Sequence, residues 1–398
     1  MTFAQEEEKR ENYFLSQPHQ PFFVLAVFNA IIMMLIFALS YKGIFILHSE
    51  SLNFHVYSLI FMVFTNVFTG FLFTTYPRFC NSEVISKNYY KNIFYANAIG
   101  SIIFITGSFV EYTVMIAGML TLFISQVFIV LKLQYIYKNA KAKSLEDPFW
   151  ILTAQYFGVI GHFLFLVSLF ILDIQDIAIK LSFYLYLIFL TFSVAQRMVP
   201  FFAHSFEPKD PRFVATVFVL FILKTALGIF DSYSYIKIAE ITLDVLLGLY
   251  LFGEFLRWKL PLFKSQSILW VLFLGLFWLP TAFFFSALSS IVELSLDINL
   301  YFLSVHMIAI GFLTTILIGF GTRVTLGHSG QSPAADGIAT SIFWFIQAVV
   351  ILRALYSVNL AFEWGLDFLF DISFTAWLVL FIVWGARYAK VLIFGSKI

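Results

Sequence analysis

Three residues of this sequence combine chemistry with an unusual setting. His306 stands inside an apolar segment, Arg323 closes that segment, and His328 follows in a glycine-flanked turn: His306-MIAIGFLTTILIGFGT-Arg323-VTLG-His328-SGQ. Imidazole and guanidinium are costly to place in hydrocarbon, so membrane chains keep them for pairing, ion handling or cofactor ligation. Neutral imidazole is a common metal ligand, and a haem iron accepts one or two of them. Further groups of the same kind are His162 in the middle of GVIGHFLFL, His55 at the start of another apolar stretch, and Arg197 in TFSVAQRMVPFF. Pro200 suits a helix that stops or kinks after Arg197. Gly327 and Gly330 allow a tight turn around His328. The competing reading is bland: each histidine hydrogen-bonds a neighbouring helix, and each arginine snorkels to lipid phosphates. His48 and His204 read as ordinary loop residues. Lys224 and Arg353 also lie within apolar stretches, and Glu240 or Asp244 would neutralise Lys224.

Helices must position these groups. The 398 residues are 61% hydrophobic and 12% charged, with mean hydropathy +0.91. A soluble domain carries about 25% charged residues, so this is an integral membrane chain whose first partner is the lipid bilayer. The net charge of +1 gives no sign of a nucleic-acid partner. The single cysteine, Cys80, excludes an internal disulfide and any multi-thiolate metal site. Apolar stretches long enough to cross a bilayer run near 21–47, 54–76, 93–110, 112–136, 149–171, 178–200, 212–230, 235–256, 267–289, 298–321, 338–357 and 370–394. Short alternating segments of the β-barrel kind are absent. The expected fold is an all-α polytopic bundle of about twelve spans, with 1–20 as a tail and 21–398 as one transmembrane domain. No internal repeat stands out, and two six-span halves are the alternative considered.

The loops sort by charge. The N-terminus and every second loop carry basic residues: Lys9 and Arg10, Arg78 to Lys91, Lys138 to Lys143, Lys209 and Arg212, Arg257 to Lys264, then Lys390 and Lys397. The intervening loops carry Glu50, Glu111, Asp173, Asp176, Asp231, Glu293, Asp297, Glu363 and Asp367, with Lys42, Lys180 and Lys237 as exceptions. The positive-inside bias then puts both termini in the cytoplasm. The N-terminus lacks the apolar region of a secretory signal.

Three motifs resemble the NnrS family, membrane proteins described as containing haem and copper and linked to nitric oxide metabolism. Gly70–Phe79, GFLFTTYPRF, looks like the family's GFLLTA-x-P-N-W. Arg197-Met-Val-Pro-Phe-Phe202 is similar to G-R-x-x-P-F-F. His306 followed by Arg323-Val-Thr-Leu-Gly-His-Ser-Gly-Gln331 is close to H…R-x-T-L-G-H-T-G-R, the most specific of the three. The resemblance implies a haem bound by His306, His162, His55 or His328, propionates paired with Arg197 and Arg323, and a copper site. Departures are visible. Where the family has H-x-H-E-M, this chain has His55, Val56, Tyr57, Ser58 and Leu59; Gln196 replaces a glycine and Gln331 an arginine. Copper is therefore expected to be reduced, because one imidazole beside a phenol is a poor copper site.

Function divides three ways: a haem protein that handles or responds to nitric oxide, a twelve-span secondary transporter, or a non-catalytic haem-binding sensor or assembly protein. No Ser-His-Asp set, phosphate loop or zinc motif appears, so any reaction is redox chemistry carried by a cofactor. Whether the chain is an enzyme stays open at this point. The charge pattern makes a topological prediction. Reporter fusions after Asn139 and Gln266 are expected to report cytoplasm, and fusions after Asp176 or Asp297 periplasm; two adjacent fusions on the wrong side defeat the twelve-span topology.

Overall fold

The computed structural model describes residues 13–171, 174–230 and 234–398. Lys9, Arg10, Asp173 and Asp231 of the charge pattern, and most of the expected tail, lie outside the described residues. Within them the chain is helical throughout and forms twelve long helices. These are α1 His19–Tyr41, α2 Ser51–Phe79, α3 Lys87–Val110, α4 Tyr112–Lys138, α5 Glu146–Ser168, α6 Gln175–Phe202, α7 Phe213–Ile229, α8 Ser234–Arg257, α9 Ser267–Leu296, α10 Tyr301–His328, α11 Gly337–Phe362 and α12 Phe368–Phe394. Each expected span coincides with one helix. Ten of them are long and apolar enough to cross a membrane. The other two differ for separate reasons. α7 has 17 residues, about 25 Å at 1.5 Å per residue. α8 has 24 residues but carries Lys237, Glu240, Asp244, Glu254 and Arg257. α1 also stops earlier than its apolar run, because Gly43 takes a left-handed turn (φ 73°) after Lys42.

Three helices are the most buried of the ten. The apolar windows of α2, α6 and α10 are 83%, 78% and 72% buried, against 61% or less for the other seven. The same three contain a wide π-helical segment six or seven residues from their start: Ser58–Phe64, Ser182–Ile188 and Met307–Thr314. A π segment inserts residues without breaking the helix, turns the faces on either side relative to each other, and is found often at functional sites. The second, sixth and tenth helices share it, a recurrence at every fourth helix. The widened turns leave carbonyls short of backbone donors, and lipid supplies none. Side chains fill the gap. The Met62 carbonyl accepts from Asn29 Nδ2 (3.1 Å) and Asn66 Nδ2 (2.6 Å). Thr65 Oγ1 donates to the Ile60 carbonyl, Thr314 to Ala309 and Thr315 to Ile310.

The helices fall into two compact units. One holds the chain up to Ser182 with Gly321–Pro333 and Phe381–Ile398; the other holds Phe183–Phe320 with Ala334–Leu380. In the first, α3 and α4 form a hairpin around one extended residue, Glu111 (φ −162°, ψ 128°). Its close approach depends on glycine. A Cβ on Gly107 would lie 2.1 Å from the Met115 nitrogen, and one on Gly118 2.4 Å from the Phe104 nitrogen. In the second unit, Gly275, Gly311 and Gly319 let α9 and α10 meet, with Gly311 packed under the Trp278 ring.

Gly107→Ala is expected to prevent assembly or to lower detergent-state thermal stability by at least the roughly 1–3 kcal/mol typical of overpacking. Gly253→Ala, where a Cβ meets nothing within 4 Å, is expected to leave the melting temperature unchanged or raised. Melting curves of the two variants check this.

Candidate functional site

The first unit holds two separate histidine arrangements. On α5, His162 is 1% exposed, and both of its ring nitrogens are engaged. Nε2 lies 2.8 Å from the Tyr57 hydroxyl of α2, and Nδ1 lies 2.7 Å from Gln126 Oε1 of α4. The neutral ring satisfies both if Nδ1–H donates to Gln126 and Nε2 accepts from Tyr57. Its face stacks on Phe61 with ring centroids 3.9 Å apart. Gly161 brings α5 against Ser182, the first residue of the α6 π segment. A cleft of about 130 Å³ reaches Tyr57 from the acidic-loop ends of the helices, with His48, Glu50, Met115, Met119 and Gln175 among its walls. That is below the about 300 Å³ at which small-molecule pockets begin; it admits a few waters or a diatomic molecule, and no macrocycle.

His55 points elsewhere. It lies two residues before Tyr57, on a different helix face, and stacks on Phe37 of α1 with centroids 4.1 Å apart. His162 and His55 are therefore not presented as a pair.

The second arrangement is at the other end of the same unit. His19, the first residue of α1, is 2% exposed, and its ring centroid is 4.8 Å from that of His328 at the end of α10. Its Nδ1 is buried without a hydrogen-bond partner. The Arg78 guanidinium, in the last turn of α2, is within electrostatic reach of both rings. Gly70 explains the placement. A Cβ there would lie 2.9 Å from Phe22 Cβ and 3.2 Å from His19 Cα, so the glycine lets α1 settle on α2. Trp384 Nε1 of α12 donates to Thr322 Oγ1 and ties down the same end of α10 (3.0 Å). His19 is the functional candidate that sequence reasoning missed. It begins a helix beside polar residues, and nothing local marks it as buried.

His306 belongs to the second unit, on the last α-helical turn before the α10 π segment. Its Nδ1 lies 2.7 Å from the Phe302 carbonyl. A carbonyl only accepts, so Nδ1 carries the proton and the Nε2 lone pair points away from the backbone; metal-ligating histidines are commonly oriented this way. His306 and His328 are 22 positions apart on one helix (328 − 306), about 33 Å at 1.5 Å per residue. They cannot serve one ion. Arg197 and Arg323 are both half-buried, near the ends of α6 and α10. Among the described residues, no group of three or more His, Cys, Asp and Glu side chains is placed to hold a metal. Arg353 takes the bland reading: it bonds Ser357 on its own helix (2.8 Å) and lies over Tyr356.

The family model described as NnrS protein matches residues 13–394. The chain belongs to the NnrS family. No curated protein matches it. Of the departures from the family pattern, three have a local hydrogen-bonding role here. Tyr57, in place of a family histidine, holds His162. Gln196, in place of glycine, accepts Lys209 Nζ at its backbone carbonyl and at Oε1. Gln331, in place of arginine, receives the Ile398 amide at Oε1 (3.0 Å) and donates to Ser329 Oγ (2.8 Å).

Tyr57→Phe is expected to leave the His162 acceptor buried and unmet. The penalty for such a group is about 1–3 kcal/mol, read as a lower melting temperature in detergent; an unchanged melting temperature would contradict the bond.

Proposed function

We propose that this NnrS-family membrane protein binds haem through His306 and handles or responds to nitric oxide, in a bacterial plasma membrane with both termini cytoplasmic. The observation that carries the reading is the His306 tautomer, with Nδ1–H given to the Phe302 carbonyl, the orientation common among metal-ligating histidines. Bound haem would supply an iron that takes up small uncharged ligands and exchanges electrons. Among this chain's residues, His306 would hold the iron. His162 does not fit as an axial ligand, because Tyr57 and Gln126 already take both of its nitrogens. His55 fits less well than His306, being stacked flat on Phe37.

Copper fits His19 and His328 better than the Tyr57 region. With metal–nitrogen bonds of about 2 Å, two imidazoles bound side by side on one ion have centroids roughly 5 Å apart, and two bound on opposite sides of a haem iron roughly 6 Å. The observed 4.8 Å matches the side-by-side arrangement. The nearby Arg78 charge favours a monovalent cuprous ion over a divalent one. Two imidazoles and no thiolate make a modest site, so copper below one per chain is the expectation.

A secondary transporter is the second reading, favoured by the buried charges of α7 and α8 described below. Absorbance separates the two. Protein expressed with adequate haem supply and purified in detergent is expected to show a Soret band, most of it lost in His306→Ala and kept in His162→Ala. A colourless, folded protein defeats the haem reading and promotes the transporter. Elemental analysis is expected to show that His19→Ala and His328→Ala each lower copper, while Tyr57→Phe leaves it unchanged.

A further inference from the structure

The most deeply buried charges of the second unit belong to none of the family motifs. Lys224 Nζ of α7 lies 2.7 Å from Glu240 Oε1 and 2.7 Å from Asp244 Oδ2, both on α8, and 3.3 Å from Ser286 Oγ on α9. The Tyr184 phenol, from the α6 π segment, is within electrostatic reach of both carboxylates. Four helices thus face this cluster with a phenol, an ammonium, two carboxylates and a hydroxyl. The side chains of Lys224, Asp244 and Glu240 are 3%, 0% and 12% exposed.

Charge counting decides what the cluster needs. One ammonium and two carboxylates, all ionised, sum to −1. An uncompensated charge in a membrane interior is costly, and such groups usually mark ion or proton paths. One proton transferred from hydronium to a carboxylate oxygen, an O–H bond formed there as one in hydronium breaks and water leaves, brings the sum to zero. Asp244 Oδ1 is buried and has no hydrogen-bond partner. As an ionised oxygen it would stand undonated in a dry site, which is the expensive state.

A route to the cluster is visible on α8. Lys237, Glu240 and Asp244 follow one helix face at i, i+3 and i+7. Lys237 pairs with Glu293 of α9 at 2.7 Å, with side chains 14% and 29% exposed. Exposure therefore falls from Glu293 through Lys237 and Glu240 to Asp244. Beyond Asp244 the face continues with Leu247 and Leu251, both 0% exposed. The next carboxylate on α8, Glu254, is ten residues further on, about 15 Å at 1.5 Å per residue; the Tyr250 phenol between them is given to Asp210 Oδ2.

We propose that Lys224, Glu240 and Asp244 form a proton-binding site, loaded only from the end of α8 that begins at Ser234. The inference does not depend on haem or copper. It applies equally to a redox protein that must take up protons and to a proton-coupled carrier.

Infrared spectroscopy of the full chain in lipid nanodiscs tests it. Wild type at neutral pH is expected to show the carbonyl stretch of a buried, protonated carboxyl group that shifts on transfer to D2O. Asp244→Asn and Glu240→Gln are each expected to lose that band, since one carboxylate beside one ammonium is neutral without a proton. Lys224→Met is expected to gain intensity. Where Asp244→Asn does not assemble, Glu240→Gln carries the comparison, because Glu240 keeps some solvent contact. Wild type without the band overturns the proposal whatever the variants do, and so does a band of equal size in wild type and Glu240→Gln.

Discussion

Hydrocarbon offers no hydrogen bonds, so every polar group that this chain carries into the bilayer must find its partner in the protein. That constraint organises the interior. Asn29 reaches from α1 to a carbonyl freed by the α2 π segment and to Ser101 of α3. Asn97 donates to Asn66, which in turn serves the same carbonyl. His162 is closed off by Tyr57 and Gln126. Between helices in lipid, such bonds add to van der Waals packing, and small residues are what allow helices to approach. The glycines at 107, 118, 161, 275 and 311 supply that approach.

The same constraint makes the exceptions informative. Most buried polar groups are paired; His19 Nδ1 and Asp244 Oδ1 are among the buried atoms without a hydrogen-bond partner, as are Asn29 Oδ1 and Gln126 Nε2. The first lies beside another imidazole, which suits a metal ion. The second lies in a cluster with one carboxylate too many, which suits a proton. His162 differs from both in having each ring nitrogen within hydrogen-bond distance of a partner.

The π segments connect packing to function. They fall in the three most buried helices, and motif residues follow at the far ends of all three. In α10 the segment separates His306 from Arg323, so each end of the helix can present its own polar group inward. Divergence from the family pattern has been absorbed locally. Tyr57 and Gln196 are hydrogen-bond partners of His162 and Lys209 respectively.

The all-α class, the positions of all twelve helices and the prominence of His306, His162 and Lys224 were legible in the sequence. Hydropathy is a sum along the chain, and a bilayer of fixed thickness responds to that sum alone. Span ends were legible less well: α9 and α10 run seven residues past the expected ends (296 − 289 and 328 − 321), and α1 stops six short (47 − 41) because a single glycine turn outweighed the apolar run behind it. What the tertiary structure decided was partnership. Whether His162 is a ligand or a bonded core residue depends on Tyr57 and Gln126, which come from other helices. His19 matters only because Gly70 lets α1 sit close to α2 and α12 fixes the end of α10. Lys224 had two candidate partners by spacing, and the fold gave it both. Partner choice depends on which faces of distant helices meet at hydrogen-bond distance, and hydropathy carries no term for that.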